Sequence, residues 1–484
     1  MTTQLSYEDI SHRATHSAVT IMLRGLAVRG VGFAGNVVLA RLLLPRDFGM
    51  VALGMTIVNI GDFLSDGGIA SALVRQEGRI ERRTLEAILG FQLMLTIAVA
   101  ALVTAIGVPL GEAGALGALM VWSLVFDTGR MPNSIVLERE MSYRLVLQTE
   151  IIETIVWNVW AVVAVLLGAG VWGVATAQPA RAAVAYVMLS VRGPNGFVRP
   201  RWDWSRVRPL LGFGLKFQGF SAVMLLRDQG LTVAIAAVGG LAAVGVWSIV
   251  YRLTLVVGVL LESLWRVSFP AMARLREAGN APGPILTRSV SLAAVMVGLL
   301  VVPLGGTARA LIPVLFGSTW NAAIDVVPLA AAAVLITGPL TAVLVGYLLA
   351  HDRPGVLARM SALDGLTSAA VGLPLLAIVG VVGLGIGSLA SALVDLVILS
   401  WTLRTGWSID VVRPMMPPVL ATLAGGFGGW IMAATVGPNV LSIVMAIMFG
   451  EAIYVFCMCV ISPTAAADAI GVVSRVQQRF AHAS

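Results

Sequence analysis

Ionisable side chains recur inside long apolar stretches of this chain, and their types and spacing bound the chemistry open to it. Lys216 and Arg227 stand eleven residues apart, close to three helical turns, so a helix carries both on one face. Arg181 and Arg252 each fall about ten residues into an apolar run, near the middle of a membrane crossing. Arg24 and Arg29 lie in the first run, and Asp62 and Asp66 sit one turn apart on one face of the second. A charge at the bilayer centre costs about 2.5–3.5 kcal/mol on insertion scales, so such groups must face the bundle interior, a partner or water. Taken together, the cations predict a wet, positively charged cavity, with Asp62 and Asp66 as candidate coupling carboxylates. Internal ion pairing or snorkelling is the competing reading. It is strongest for Glu150, Glu153 and Glu262 near the interface, and for Asp228 beside Arg227.

Catalytic constellations are missing from the sequence. Lys216 is the only lysine, and FGLKFQ around it lacks the phosphate-cradling glycine spacing. His12, His16, His351 and His482 sit in tails or a loop with no metal-ligand spacing. GLGIG at 383–387 opens an apolar helix, where close helix packing explains it better than a nucleotide turn does. The expectation is a protein that is not an enzyme and has no catalytic residues, metal or cofactor. Cys457 and Cys459 alternate in an apolar run, in poor geometry to bridge each other. The stripe Glu150, Glu153, Trp157, Trp160 has the spacing of one helix face, with packing or an interfacial position as the commoner role for its indoles.

The elements that must position these residues are set by composition. With 58% apolar and only 12% charged residues, 484 positions leave little for a soluble domain and much for membrane crossings of about 20 residues each. Apolar runs lie near 18–40, 48–73, 85–108, 114–136, 146–168, 171–191, 210–236, 241–265, 286–306, 325–350, 357–378, 381–403, 415–436 and 440–461. Of the 32 Lys and Arg, 23 fall in one alternating set of breaks and only Arg41, Arg46 and Arg309 in the other, which places both termini in the cytoplasm. The net charge of +7 therefore reflects topology rather than nucleic-acid binding. The first segment lacks a removable-signal pattern.

The break RGPNGFVRPRWDWSRVRP, 192–209, follows the sixth run and reads as a hinge. ARLLLPRDFGMVALG and AIAAVGGLAAVGVWSIV superpose at an offset of 196, pairing Gly49 with Gly245, as in a duplicated half. The expected organisation is an all-α polytopic membrane protein. Helices 1–6 lie in residues 1–200, helices 7–12 in 201–405 and two appended helices in 406–462, with a cytoplasmic tail at 463–484 that contains an interfacial helix or a solvated end.

Four stretches resemble one family across nearly the whole chain. They are LARLLLPRDFGMVAL (39–53) with DGGIASALVRQ (66–76); GVWSIVYRLTLVVGVLLESLWRVSFPAMARL (245–275); LFGSTWNAAIDVVPLAA (315–331); and GYLLAHDRPGVLARM (346–360). These are similar to the polysaccharide transporter family, the Wzx-type oligosaccharide flippases of the multidrug/oligosaccharidyl-lipid/polysaccharide (MOP) superfamily. The resemblance implies a MATE-like fold of two six-helix lobes around a cationic cavity. It implies transfer of an undecaprenyl-diphosphate-linked oligosaccharide from the cytoplasmic to the outer leaflet of a bacterial inner membrane. Arg29, Lys216, Arg227 and Arg252, with Arg24 and Arg181, would meet the diphosphate. Polysaccharide polymerase and co-polymerase are the implied protein partners, membrane lipids the surroundings, and a monomer the default. LLRDQGLTVAIAAVGG (225–240) departs from the usual form of helix 7. The rivals are a cation-coupled drug exporter, a peptidoglycan-precursor flippase and a non-transporting assembly subunit.

Overall fold

A computed structural model describes residues 30–69, 73, 80–140, 142–277, 283–350, 354–407, 409–468 and 471, and every regular element among them is helical. In chain order these are α1 (Gly30–Leu42), α2 (Pro45–Asp66), α3 (Arg82–Gly107), α4 (Glu112–Val121), α5 (Ser123–Arg139), α6 (Tyr143–Ala164) and α7 (Val171–Arg192). There follow α8 (Trp204–Glu277), α9 (Gly283–Gly306), α10 (Ala308–Leu315), α11 (Val326–Ala350), α12 (Pro354–Val379), α13 (Val382–Trp407), α14 (Val412–Val436) and α15 (Val440–Ile461). Ten apolar spans among the described residues are long enough to cross a membrane. The chain is thus a multi-pass membrane protein. The four other expected passages fall on the shorter helix α1, the α4–α5 pair broken at Trp122, α7, and the second arm of α8, which continues the first.

Local chemistry explains where the helices start and turn. Pro45 opens α2 at a position that needs no N–H, and the Asp47 carboxylate accepts from the Leu44 N–H at 2.9 Å, so the PRDF sequence is a helix-start signal. Gly240, with φ 75°, turns α8 where the sequence breaks between 236 and 241, a backbone conformation that a side chain resists. Asn439 caps α15 by accepting from the Ser442 N–H at 2.7 Å. GLGIG serves packing: a β-carbon at Gly387 would lie 2.6 Å from the Cα of Gly372, so α12 and α13 touch backbone to backbone.

The chain divides into two compact units, one of residues up to Leu43 with Leu53–Gly219, the other of Leu44–Ala52 with Phe220 onward. Within the second unit, Phe48 meets Trp320 edge to face at 5.1 Å, joining the LPRDFG and LFGSTW stretches. Residues related by the 196-position offset meet there in one contact. A β-carbon at Gly49 would fall 1.8 Å from the carbonyl oxygen of Leu241, and one at Gly245 would fall 1.8 Å from that of Pro45. Pro45 maps to Leu241, and Gly49 to Gly245, under the same shift of 196 positions. The two halves of the contact are interchangeable.

In the first unit, the linker after α7 is fastened down, contrary to the hinge read from its composition. The Asn195 N–H donates to Asn133 Oδ1 of α5 at 3.0 Å, Asn133 Nδ2 donates to the Gly196 carbonyl at 3.0 Å, and the Arg201 N–H donates to the Glu86 carbonyl of α3 at 2.9 Å. Val198 is buried against Leu85 and Leu89, and Val207 against Ile88. Proline and charge mark this segment as a loop but do not reveal the Asn133 side chain that ties it to α5.

Candidate functional site

Two polar clusters form inside the apolar framework, one in each unit. In the first unit, Asp127 and Arg130 are one turn apart on α5 and share a face, which turns toward Glu153 of α6 and Arg181 of α7. Arg130 pairs with Asp127 at 2.9 Å and closely with Glu153, while Arg181 reaches Glu153 at 3.5 Å and Asp127 at 3.8 Å. Each carboxylate bridges both guanidinium groups. Arg181 Nε also donates to Gln178 Oε1 at 2.9 Å, one turn back on α7. The side chains of this ring are 11–25% accessible. Its formal charge is zero, and its members lie near the middles of their helices.

Asp62 on α2 is exposed, and the charges acting on it are those of Asp127, Asp66 and Arg130. Asp66 ends the same helix. Its carboxylate accepts from the Gly68 N–H at 3.2 Å, and Gln92 Nε2 donates to its carbonyl at 3.0 Å. Arg24 and Arg29, expected opposite these acids, lie outside the described residues.

The second cluster is built on Arg227, in the first arm of α8. Its Nε donates to Asp228 at 2.8 Å and its Nη1 to Asp364 of α12 at 3.3 Å, and Ser391 of α13 hydrogen-bonds closely to Asp364. Asp395, one turn beyond Ser391, is buried with Oδ1 lacking a hydrogen bond. Gly365 admits the arginine stem, since a β-carbon there would stand 2.7 Å from Arg227 Cγ. Tyr251 and Arg252 lie on the second arm of α8. Tyr251 feels the charges of Asp228 and Arg227, and Arg252 is half-buried. Lys216 is helical in the first arm, before the unit boundary.

Several expectations are revised by this geometry. Arg227 pairs with Asp364 of α12 as well as with its neighbour Asp228, and Arg181 stands between two carboxylates. Glu153, read as interfacial, closes the inner ring. Arg130, counted among the breaks, lies within α5. The Glu150–Trp160 stripe on α6 does not hold one environment, because Glu153 is buried while Trp160 is exposed and donates to Thr176 at 3.1 Å. Asp127 was missed altogether, although its i,i+3 spacing to Arg130 is a visible signal. The Ser391–Asp395 spacing of four is another.

A family profile described as Polysaccharide biosynthesis protein matches residues 38–325. Among curated proteins, the chain is 27% identical over 407 residues to the succinoglycan biosynthesis transport protein ExoT of Rhizobium meliloti (strain 1021), covering 81% of this chain and 79% of ExoT. It is 25% identical over 326 residues to the lipopolysaccharide biosynthesis protein WzxC of Escherichia coli (strain K12), covering 62% of each. Among solved structures, the lipid II flippase MurJ in an inward closed conformation superposes with a TM-score of 0.75 at 11% identity, over 92% of this chain and 98% of MurJ. An inward-facing MATE family transporter of the MOP superfamily gives 0.58 at 15% identity, over 79% and 98%. At these identities the two superpositions speak to the fold.

Proposed function

The chain belongs to the polysaccharide biosynthesis protein family, and from that premise we propose that it moves a polyprenyl-diphosphate-linked oligosaccharide across a bacterial inner membrane. Movement runs from the cytoplasmic to the outer leaflet by alternating access, for exopolysaccharide, capsule or O-antigen assembly. Both termini are cytoplasmic, the two six-helix lobes act as the moving halves, and the protein works as a monomer that hands its product to a polymerase and co-polymerase. The names of ExoT and WzxC support the pathway, and the name of ExoT supports transport rather than catalysis.

The observation that carries the reading is the pairing of accessible arginines with carboxylates at mid-depth in membrane helices. A diphosphate is the costly part of the cargo to dehydrate, and guanidinium groups recognise phosphate in a two-pronged geometry. An empty transporter with bare buried arginines would bear their full desolvation cost. Asp127 and Glu153 hold Arg130 and Arg181 meanwhile, and Asp228 and Asp364 hold Arg227. The diphosphate enters by displacing carboxylates and leaves when they return. Arg29, Lys216, Arg252 and Arg24 complete the proposed cationic set, and Asp62 or Asp66 couples ion or proton movement to the exchange.

The test is transport of a lipid-linked glycan by reconstituted protein. Arg227→Ala and Arg252→Ala are expected to insert normally and lose transport. Wild-type rates in both would refute the assignment, and failure to complement a strain lacking its glycan-export step would refute the proposed cargo.

A further inference from the structure

We propose that the linker between α7 and α8 is a membrane-interface plate that binds the anionic headgroups of the adjoining phospholipid leaflet. Three observations meet there, and none depends on the transported cargo. The first is rigidity. Besides the bonds to Asn133 and Glu86, Arg82 Nη2 donates to the Phe197 carbonyl at 3.1 Å, and Arg206 Nη1 donates to Thr84 at 2.9 Å and Glu81 at 2.7 Å. The Arg201 backbone lies so close to α3 that a β-carbon at Gly90 would stand 2.2 Å from its carbonyl oxygen.

The second is an outward aromatic face. Trp202 and Trp204 stack at 6.3 Å with an interplanar angle of 11°, and Phe91 of α3 lies 5.8 Å from Trp204. Yet the indoles remain 60% and 46% exposed. Two stacked tryptophans left open at the end of a membrane helix match the interfacial belt, where the ring is half in hydrocarbon and its N–H in the wet zone.

Helix length fixes the depth. The apolar span Arg82–Leu110 has 29 residues, or about 43 Å at 1.5 Å per residue against about 30 Å of hydrocarbon. In an upright helix about nine residues therefore project beyond the hydrocarbon, and tilt lowers that number. Counted back from Leu110, with Glu112 just beyond it, the boundary falls near Gly90 and Phe91. Arg82, Arg83 and Glu86, the charged residues of α3, all precede it. The indole pair packs on Phe91 at that level.

The third is charge. Residues 192–209 carry five arginines against Asp203 alone, and Arg192, Arg199, Arg201 and Arg208 are all exposed. Arg206, tied to Glu81 and Asp203, serves the scaffold. A positive, rigid, aromatic-edged surface at headgroup depth fits phosphatidylglycerol-type lipids, whose phosphates bear a net negative charge.

The test reconstitutes the full chain in phosphatidylcholine vesicles containing either brominated phosphatidylglycerol or brominated phosphatidylcholine and compares tryptophan quenching. The contribution of Trp202 and Trp204 is taken as the difference from W202F/W204F. That difference should be quenched several-fold more by the anionic lipid. Each of R199Q, R201Q and R208Q should reduce the preference by up to about fivefold, and raised salt should reduce it further. Equal quenching by the two lipids, or no difference between wild type and W202F/W204F, overturns the proposal. Asn133→Ala, which unties the linker without removing charge, should broaden the quenching and weaken the lipid preference. An unchanged preference there would count against a preformed plate.

Discussion

Glu153→Gln is the sharpest perturbation of the ring in the first unit. It keeps the size of the side chain and removes one of two carboxylates that neutralise Arg130 and Arg181. At the 3.5 Å that separates Arg181 from Glu153, two unit charges at an effective dielectric of about 20 attract by roughly 4–5 kcal/mol before desolvation is counted. The amide still accepts a hydrogen bond, and the pair is partly accessible, so the net loss should be about 2 kcal/mol. In stability the sign is unfavourable. In binding, the proposed displacement reverses it, because Glu153 would compete with the diphosphate for the same guanidinium groups. Relieving about 2 kcal/mol of competition tightens an anionic ligand by about thirtyfold. Release slows correspondingly, so KM and kcat for the glycolipid should fall together. The assay is calorimetric binding of farnesyl diphosphate to the purified protein, with Glu150→Gln as a neighbouring control, followed by transport kinetics. Binding that is unchanged or weaker in Glu153→Gln would refute carboxylate displacement and leave the ring a structural brace.

Other outcomes follow from the same geometry. Gly49→Ala and Gly245→Ala each place a β-carbon 1.8 Å from a carbonyl oxygen, so each should destabilise by at least about 1–3 kcal/mol; the double variant should cost less than the sum, since one separation serves both, and additive losses in thermal unfolding would contradict a shared contact. The Arg404 hydrogen bond, aided by the Arg413 and Val412 N–H groups, holds the Asp410 carboxyl below its ordinary value. Its contribution is present above the ordinary carboxylate range and lost as pH falls through the lowered value, so amide exchange at the start of α14 should accelerate below about pH 4 and Asp410→Asn should abolish that dependence. A topology reporter fused at Arg199 should read cytoplasmic and one at Glu112 external; the reverse would overturn the orientation drawn from the arginine asymmetry.

The helices were legible in the sequence because membrane crossings are long, apolar and bounded by charge. The break at Gly240 and the capping role of Asp47 were readable for local reasons, a glycine pair in one case and a proline-led helix start in the other. The polar clusters were legible only in part. Asp228 beside Arg227 is visible as a local pair, but Asp364, 137 residues away, joins them only through the packing of α12. Glu153 and Arg130 likewise meet because α5 and α6 present particular faces, which hydropathy does not determine when most of each helix is apolar. The linker misled for the opposite reason: proline and charge describe its solvation, whereas its fixity comes from one amide side chain on α5 and from the absence of a side chain at Gly90.

The paired approach of Gly49 to Leu241 and Gly245 to Pro45 carries a historical consequence. A contact that maps onto itself when its sides are exchanged is what twofold self-association produces, and fusing two copies of a gene would preserve it within one polypeptide. On that reading each half contributes the glycine-lined start of its second helix to the contact. A bulkier residue at either glycine could be accommodated only by a matching retreat in the other half.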